Sequence, residues 1–288
     1  MASLLLLSAI ILIWGYYSSN LILKNESPKI ESTPGSFGRA YEPFSILNDE
    51  GTPLSGWFVP AKTPSPSLII FLHGWGANKS DVIVPTIFLA DRYNLAYFDF
   101  RNHGESGRSR TSLTCLEVRD LKTVVRALRA QKKEFAKNLG LYGFSMGAAA
   151  AITGAADLPE VQAVIAESPF SSYNHTVVRF ARLFYKVPKF ATRITLWSMR
   201  LRLGFNPEDC SPIYHVHKIA PRPILIFQGG QDKRMPIEEG QQLYAKAQEP
   251  KELLVIPEAD HGDIKKTDPE EYEKRVLAFY DQWLTNKK

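Results

Sequence analysis

A serine framed by two glycines, Gly143-Phe144-Ser145-Met146-Gly147, is where residue types and spacing in this 288-residue chain promise covalent chemistry. A seryl hydroxyl is a weak nucleophile until a base takes its proton and fixed N–H donors hold the charge that develops on the attacked carbonyl. The pattern directly follows an apolar run over residues 139–142 and opens an alanine-rich segment over 148–151, so strand, turn and helix are expected in that order. Glycine tolerates the crowding of such a turn, and the helix N-terminus behind Ser145 favours negative charge. A plain tight strand-to-helix turn is the alternative reading of these five residues. Two further loops invite attention. His73-Gly74-Trp75-Gly76 follows the apolar run 68–72, and Asp99-Phe100-Arg101-Asn102-His103-Gly104-Glu105-Ser106-Gly107 follows the run 95–98.

These loops need a scaffold, and the chain supplies one. Residues 45–47 and 56–59 flank Asn48-Asp49-Glu50-Gly51, which has hairpin turn chemistry. Short apolar runs then recur at 68–72, 95–98, 139–142, 161–166, 224–227 and 253–256. Each has the length of a strand buried on both faces of a parallel sheet. Helical spacing separates most of them. Over 116–135 the apolar Leu116, Leu121, Val124, Val125 and Leu128 oppose Lys122, Arg126 and Arg129, and 272–283 closes the chain with Val276, Leu277, Phe279, Tyr280 and Trp283. A hairpin followed by βα alternation predicts an α/β fold: a mainly parallel twisted sheet with helices on both faces. The alternation breaks between residues 166 and 224, which reads as a helical insertion lying over the carboxyl ends of the strands.

These three loop motifs together resemble the α/β-hydrolase superfamily, and most of all its small-cap members related to Bem46-type and prolyl-oligopeptidase-like hydrolases. The resemblance covers residues 41–288. It implies an oxyanion hole formed by the backbone N–H groups of Trp75 and Met146. It implies a structural role for the Asp99–Gly107 turn, in which Asp99 and Arg101 fix the loop beside the nucleophile. His73 then reads as a loop brace, and His103 as a structural residue too. In that family the acid and base follow the nucleophile in the order Ser, Asp or Glu, His. The matching positions are Asp232, in Gln228-Gly229-Gly230-Gln231-Asp232, and His261, in Ala259-Asp260-His261-Gly262. A histidine accepts the serine proton and returns it to the leaving group, while the aspartate orients the ring and stabilises its cation. Glu167, Asp260 and Asp263 are rivals for the acid. His175, His215 and His217 lie in the insertion and read as surface or packing residues.

Bulk properties set the limits. Hydrophobic residues make up 44% and charged residues 23%, the balance of a globular chain with a sizeable core. Two cysteines, Cys115 and Cys210, stand without CxxC spacing, which argues against a zinc site and leaves a single bridge open. No metal or organic cofactor is needed by the expected chemistry. The net charge of +5 is concentrated: residues 168–220 hold Arg179, Arg182, Lys186, Lys189, Arg193, Arg200, Arg202 and Lys218 against only Glu208 and Asp209. No nucleic-acid-binding motif accompanies that charge. Phe180, Phe184, Tyr185, Phe190, Trp197 and Leu201 are interleaved with it. They are either the packing face of two or three short helices or a basic, aromatic surface for an anionic membrane or an acyl substrate.

Residues 1–23 contain no charged side chain, and about 20 apolar residues suffice to cross a bilayer as a helix. Trp14, Tyr16 and Tyr17 suit an interface. With no basic n-region and no A-x-A-like site, a single-pass N-terminal membrane anchor is expected ahead of a cleaved signal that would release a secreted protein. Residues 24–40 then read as a linker, 41–288 as the hydrolase domain, and about 168–220 as its cap. The expected activity is a serine hydrolase cleaving carboxylic esters or thioesters, with a small-molecule or lipid ester as substrate. A serine peptidase or amidase is the alternative, and an inactive membrane-tethered binding protein the reading from another class.

Overall fold

Runs of β-branched and aromatic residues between glycine, proline and polar breaks become strands because only a sheet covered on both faces hides every side chain of such a run. The computed structural model describes residues 2–24 and 27–284, the side chains of residues 2, 4, 5 and 7 excepted. Met1 of the expected anchor, Asn25 and Glu26 of the expected linker and residues 285–288 at the end of the expected hydrolase domain lie outside the described residues. The chain begins with α1 (Ala2–Leu23), β1 (Glu42–Leu47), β2 (Pro53–Val59), β3 (Ser67–Leu72), α2 (Ile83–Thr86), β4 (Asn94–Phe98) and α3 (Cys115–Gln131). It continues with β5 (Asn138–Phe144), α4 (Met146–Ala155), β6 (Val161–Glu167), α5 (Tyr173–Tyr185), α6 (Lys189–Leu203) and β7 (Ile224–Gly229). The last elements are α7 (Ile237–Lys246), β8 (Lys251–Ile256), α8 (Ile264–Thr267) and α9 (Pro269–Leu284).

The strands form one sheet in the order β1-β2-β4-β3-β5-β6-β7-β8. β1–β2 and β2–β4 are antiparallel and all other pairs parallel. The hairpin turn is held by Asn48 Oδ1, which accepts from the N–H groups of Glu50 and Thr52. One core lies between the sheet and α3, α4 and α7. The other lies on the opposite face under α9, whose Tyr272, Val276, Phe279, Tyr280 and Leu284 are buried. All ten residues of α4 are buried, which explains its alanines: larger side chains would not fit a helix packed against the sheet, α3 and the end of α1. Helix α3 stops at Gln131, short of the expected 135, and Phe135 turns back against Phe58.

The N-terminal segment departs from the expected single-pass anchor. Helix α1 runs from Ala2 to Leu23, but its second half is committed to the protein body. Trp14 Nε1 donates to Ala191 O at 3.1 Å, Ser18 and Thr195 hydroxyls bond at 2.8 Å, and Leu23 is fully buried beside Ala149, Phe170 and Met199. Among the described residues no helix is long and apolar enough to cross a membrane. From Ser27 onward the chain lies along the body, where Asn78 Nδ2 donates to Pro28 O at 3.0 Å and Ile30 packs on the core.

A disulfide joins Cys115, at the start of α3, to Cys210, beyond α6. The bridge ties the segment that follows α6 to the first turn of α3.

Candidate active site

Ser145 sits between β5 and α4 with φ +55° and ψ −115°, a backbone conformation that an L-residue adopts only under constraint. The constraint is visible. Its N–H donates to Glu167 O at 2.8 Å, and α4 is pressed so close that a Cβ on Gly147 would lie 2.1 Å from Leu72 O. A Cβ on Gly143 would lie 2.2 Å from Gly147 O, so both framing glycines are sterically required.

The parallel register of β3 with β5 pairs Leu72 with Gly143, which sets the loop after β3 beside the serine. A Cβ on Gly74 would come within 3.4 Å of Ser145 Cβ. Trp75 therefore follows a residue in contact with Ser145, and Met146 opens α4, where the first N–H groups have no partner within the helix. Two buried histidines brace this loop. His73 Nε2 accepts from Phe100 N–H at 3.1 Å while its Nδ1 bonds Gly74 O at 2.8 Å. His103 accepts from Gly76 N–H at 3.4 Å and bonds Arg101 O at 2.8 Å. Burial pushes His73 well below the ordinary imidazole range and lowers His103 as well. A neutral ring has one donor and one acceptor nitrogen, and both histidines use the two nitrogens in that way.

The next loop is pinned by charge. Asp99 accepts from Lys79 Nζ at 2.6 Å with both side chains fully buried, and Lys79 Nζ also meets Glu105 at 2.6 Å. Arg101 grips Asp120 through Nε at 2.9 Å and Nη2 at 2.7 Å. Burial raises the carboxyls of Asp99 and Asp120, opposed by Lys79 and Arg101 respectively. Lys79 is a residue that the sequence motifs do not single out.

On the other side of Ser145, His261 Nε2 lies 3.1 Å from Ser145 Oγ, and His261 Nδ1 lies 2.7 Å from Asp232 Oδ2. The second oxygen of Asp232 accepts from Arg234 N–H at 2.9 Å and Met235 N–H at 2.8 Å. Asp232 follows β7 and His261 follows β8, three strands from β5 or roughly 14 Å at about 4.8 Å per strand. The loop after β8 closes that gap by folding back over β7: Gln231 N–H donates to Ala259 O at 2.9 Å, and Gly230 N–H to Ile256 O at 2.8 Å. Phe144 packs on the His261 ring at 5.0 Å.

The rival acids point elsewhere. Asp260 accepts from His261 N–H, not from its ring. Glu167 is buried with its carboxylate against the hydroxyls of Tyr142 and Tyr272, which bond each other at 2.6 Å. Burial raises Glu167 above the usual carboxylate range, opposed first by the Tyr142 hydrogen bond. Its backbone carbonyl holds the Ser145 turn, a role invisible in the sequence because it depends on the β5–β6 pairing of Phe144 with Glu167.

Above the site, Trp75 packs edge-on to Phe180 of α5, and its Nε1 donates to Ile22 O at 3.4 Å. Leu23 closes the same cluster with Val177 and Met235. Phe184 packs on the Phe180 ring at 5.2 Å, and Phe184, Tyr185, Phe190, Trp197 and Leu201 each keep a large part of their surface exposed. Among the described residues no group of three or more His, Cys, Asp or Glu is placed to hold a metal ion.

Comparison with known proteins gives this arrangement a context. The sequence pattern of the prolyl oligopeptidase family matches residues 95–287. The uncharacterized protein YqkD of Bacillus subtilis (strain 168) is 29% identical over 242 residues, covering 83% of this chain and 78% of its own length. A crystal form of the Pyrococcus furiosus esterase Pf2001 superposes with a TM-score of 0.75 at 29% identity, over 90% of this chain and all of that one. Pyrococcus horikoshii acylaminoacyl peptidase shares the fold at a TM-score of 0.65 and 17% identity, over 89% of this chain and 44% of that one.

Proposed function

Because the chain belongs to the prolyl oligopeptidase family and is a serine hydrolase of the α/β-hydrolase fold, we propose that Ser145, His261 and Asp232 are its catalytic triad and that it hydrolyses carboxylic esters or thioesters. The observation that carries this is the unbroken relay from Ser145 Oγ to His261 Nε2 at 3.1 Å and from His261 Nδ1 to Asp232 at 2.7 Å. His261 takes the Ser145 proton as the hydroxyl attacks the carbonyl carbon, and the resulting oxyanion lies between the N–H groups of Trp75 and Met146. The same imidazolium then protonates the leaving group, and the acyl group remains on Ser145. Water, deprotonated by His261, releases the acid and restores the serine. Asp232 holds the ring in the tautomer with its proton on Nδ1, because both backbone donors on Oδ1 leave only Oδ2 for the histidine.

Ester chemistry is favoured by the esterase of 29% identity that matches across its whole length. The family description favours a second reading, a peptidase or amidase. A fluorophosphonate probe is expected to label the wild-type protein and to spare Ser145→Ala, and equal labelling of the two sinks the assignment. A series of p-nitrophenyl esters of rising chain length, run beside peptidyl p-nitroanilides, separates the readings: turnover of the anilides at rates matching the esters rejects the ester assignment.

A further inference from the structure

We propose that the protein docks on an anionic lipid leaflet through α1 and the adjoining end of α5 and α6, with the first turns of α1 inserted one leaflet deep and not across the bilayer. The partner residues along α1 and α6 rise together. Trp14 meets Ala191, Ser18 meets Thr195, Ser19 meets Ser198 at 3.2 Å, and Arg202 donates to Asn20 at 2.7 Å. The two helices are therefore parallel, with their N-termini at one end of the molecule. Residue 14 lies beside residue 191 of a helix that starts at Lys189, so residues 2–10 run past its beginning. Nine residues at about 1.5 Å each make about 14 Å, half of a hydrocarbon core about 30 Å thick.

The side chains suit that placement. Helix α1 has no charged residue, and Leu6, Ile10 and Ile13 are 65%, 55% and 69% exposed. Where α1 leaves the body, α5 ends and α6 begins. Phe184, Tyr185 and Phe190 are exposed there, together with Lys186, Lys189 and Arg193. Arg193 also rims an open groove of about 270 Å³ lined by Ile11, Ile194 and Trp197. Aromatic rings and cations at the level of the headgroups, with aliphatic side chains projecting beyond them, are the arrangement of a helix that inserts at an interface.

Charge argues for lipid over a second copy of the chain. Helices α5 and α6 contain no acidic residue, so a symmetric dimer through this face would set Lys186, Lys189 and Arg193 against their own copies. Anionic headgroups meet the same cations favourably.

Flotation of the full-length protein with phosphatidylcholine vesicles, with and without phosphatidylserine, tests the proposal. Wild type is expected to float with the anionic vesicles about a hundredfold more tightly than with the neutral ones, given three cations near the surface. Leu6→Glu/Ile10→Glu is expected to lose binding to both by tenfold or more. Lys186→Glu/Lys189→Glu/Arg193→Glu is expected to lose the preference for phosphatidylserine. None of these residues belongs to the triad, so hydrolysis of a soluble p-nitrophenyl ester stays within twofold and reports folding separately from docking. The native cysteines are both in the disulfide, so a Ser3→Cys variant carries one probe. It is expected to resist an impermeant maleimide trapped in the vesicle lumen. Wild type that fails to float, glutamate variants that float as wild type does, or lumenal labelling of Ser3→Cys would each overturn the proposal. So would a dimer in sedimentation that Ile10→Glu dissolves with no vesicle binding in either protein.

Discussion

Asp232→Asn is the sharpest perturbation of the proposed mechanism, because the structure dictates which way the new amide turns. Asp232 Oδ1 accepts from two backbone N–H groups, those of Arg234 and Met235, at 2.9 and 2.8 Å. An asparagine keeps both bonds only by placing its carbonyl oxygen there, and its NH2 group then faces His261 Nδ1. That group donates, so Nδ1 must accept and the ring proton moves to Nε2, the nitrogen 3.1 Å from Ser145 Oγ. A protonated Nε2 cannot take the serine proton. The expected loss is about 10⁴ in kcat, the size seen when an aspartate-to-asparagine change traps the wrong tautomer in a serine protease triad. At about 1.4 kcal/mol per factor of ten this is about 5 kcal/mol of transition-state stabilisation. Since both backbone bonds survive, unfolding stability is expected to change by no more than about 1 kcal/mol. Steady-state kinetics on a short p-nitrophenyl ester, the rate of fluorophosphonate labelling and urea unfolding measure the three quantities. Asp260→Asn is the control: the Asp260 carboxylate accepts from the His261 backbone N–H and not from its ring, an amide oxygen replaces it there, and the loss is expected to stay under tenfold. An Asp232→Asn enzyme within tenfold of wild type, or an equal loss in Asp260→Asn, would refute the reasoning.

Gly147→Ala places a methyl 2.1 Å from Leu72 O, a backbone atom of a central strand that cannot yield, so a loss of 3 kcal/mol or more and of probe labelling is expected, read by urea unfolding and fluorophosphonate gels. Breaking the Cys115–Cys210 bridge, which closes a loop of 95 residues, is expected to cost up to about 4.7 kcal/mol by the loop-closure estimate. Calorimetry with and without reductant checks this, and an unchanged Tm would count against the bridge. His73 is held neutral by burial, so the unfolded chain binds the extra proton as pH falls below about 6.5. Its contribution is complete above that pH and is lost by up to about 1.4 kcal/mol per pH unit below it. Asp99, Asp120 and Glu167, raised by burial, act with the opposite sign, so the measurement is the difference in urea midpoint slopes between wild type and His73→Gln. Parallel slopes would contradict the neutral assignment.

Much of this was legible in the sequence because it is local. A run such as residues 68–72 declares a strand covered on both faces, and Gly143 and Gly147 declare a turn too crowded for side chains, whatever the rest of the chain does. The places of Ser145, Asp232 and His261 follow from loops that end strands, and a strand's end is marked by its own residues. What bonds across the sheet is not so marked. Ser145 and His261 are 116 residues apart, and only the fold-back of the β8 loop over β7 sets them in reach. The choice among Asp232, Asp260, Asp263 and Glu167 rests on side-chain direction, which local sequence does not encode: Glu167 turns to two tyrosine hydroxyls while its carbonyl holds the Ser145 turn. The same limit governs α1. Its lack of charged residues invites a bilayer reading, yet no described helix is long and apolar enough to cross one, and Ser18, Ser19 and Leu23 find buried partners on α6 and beside α4. Composition states what a helix can dissolve in, and only the tertiary structure decides which surface it meets first.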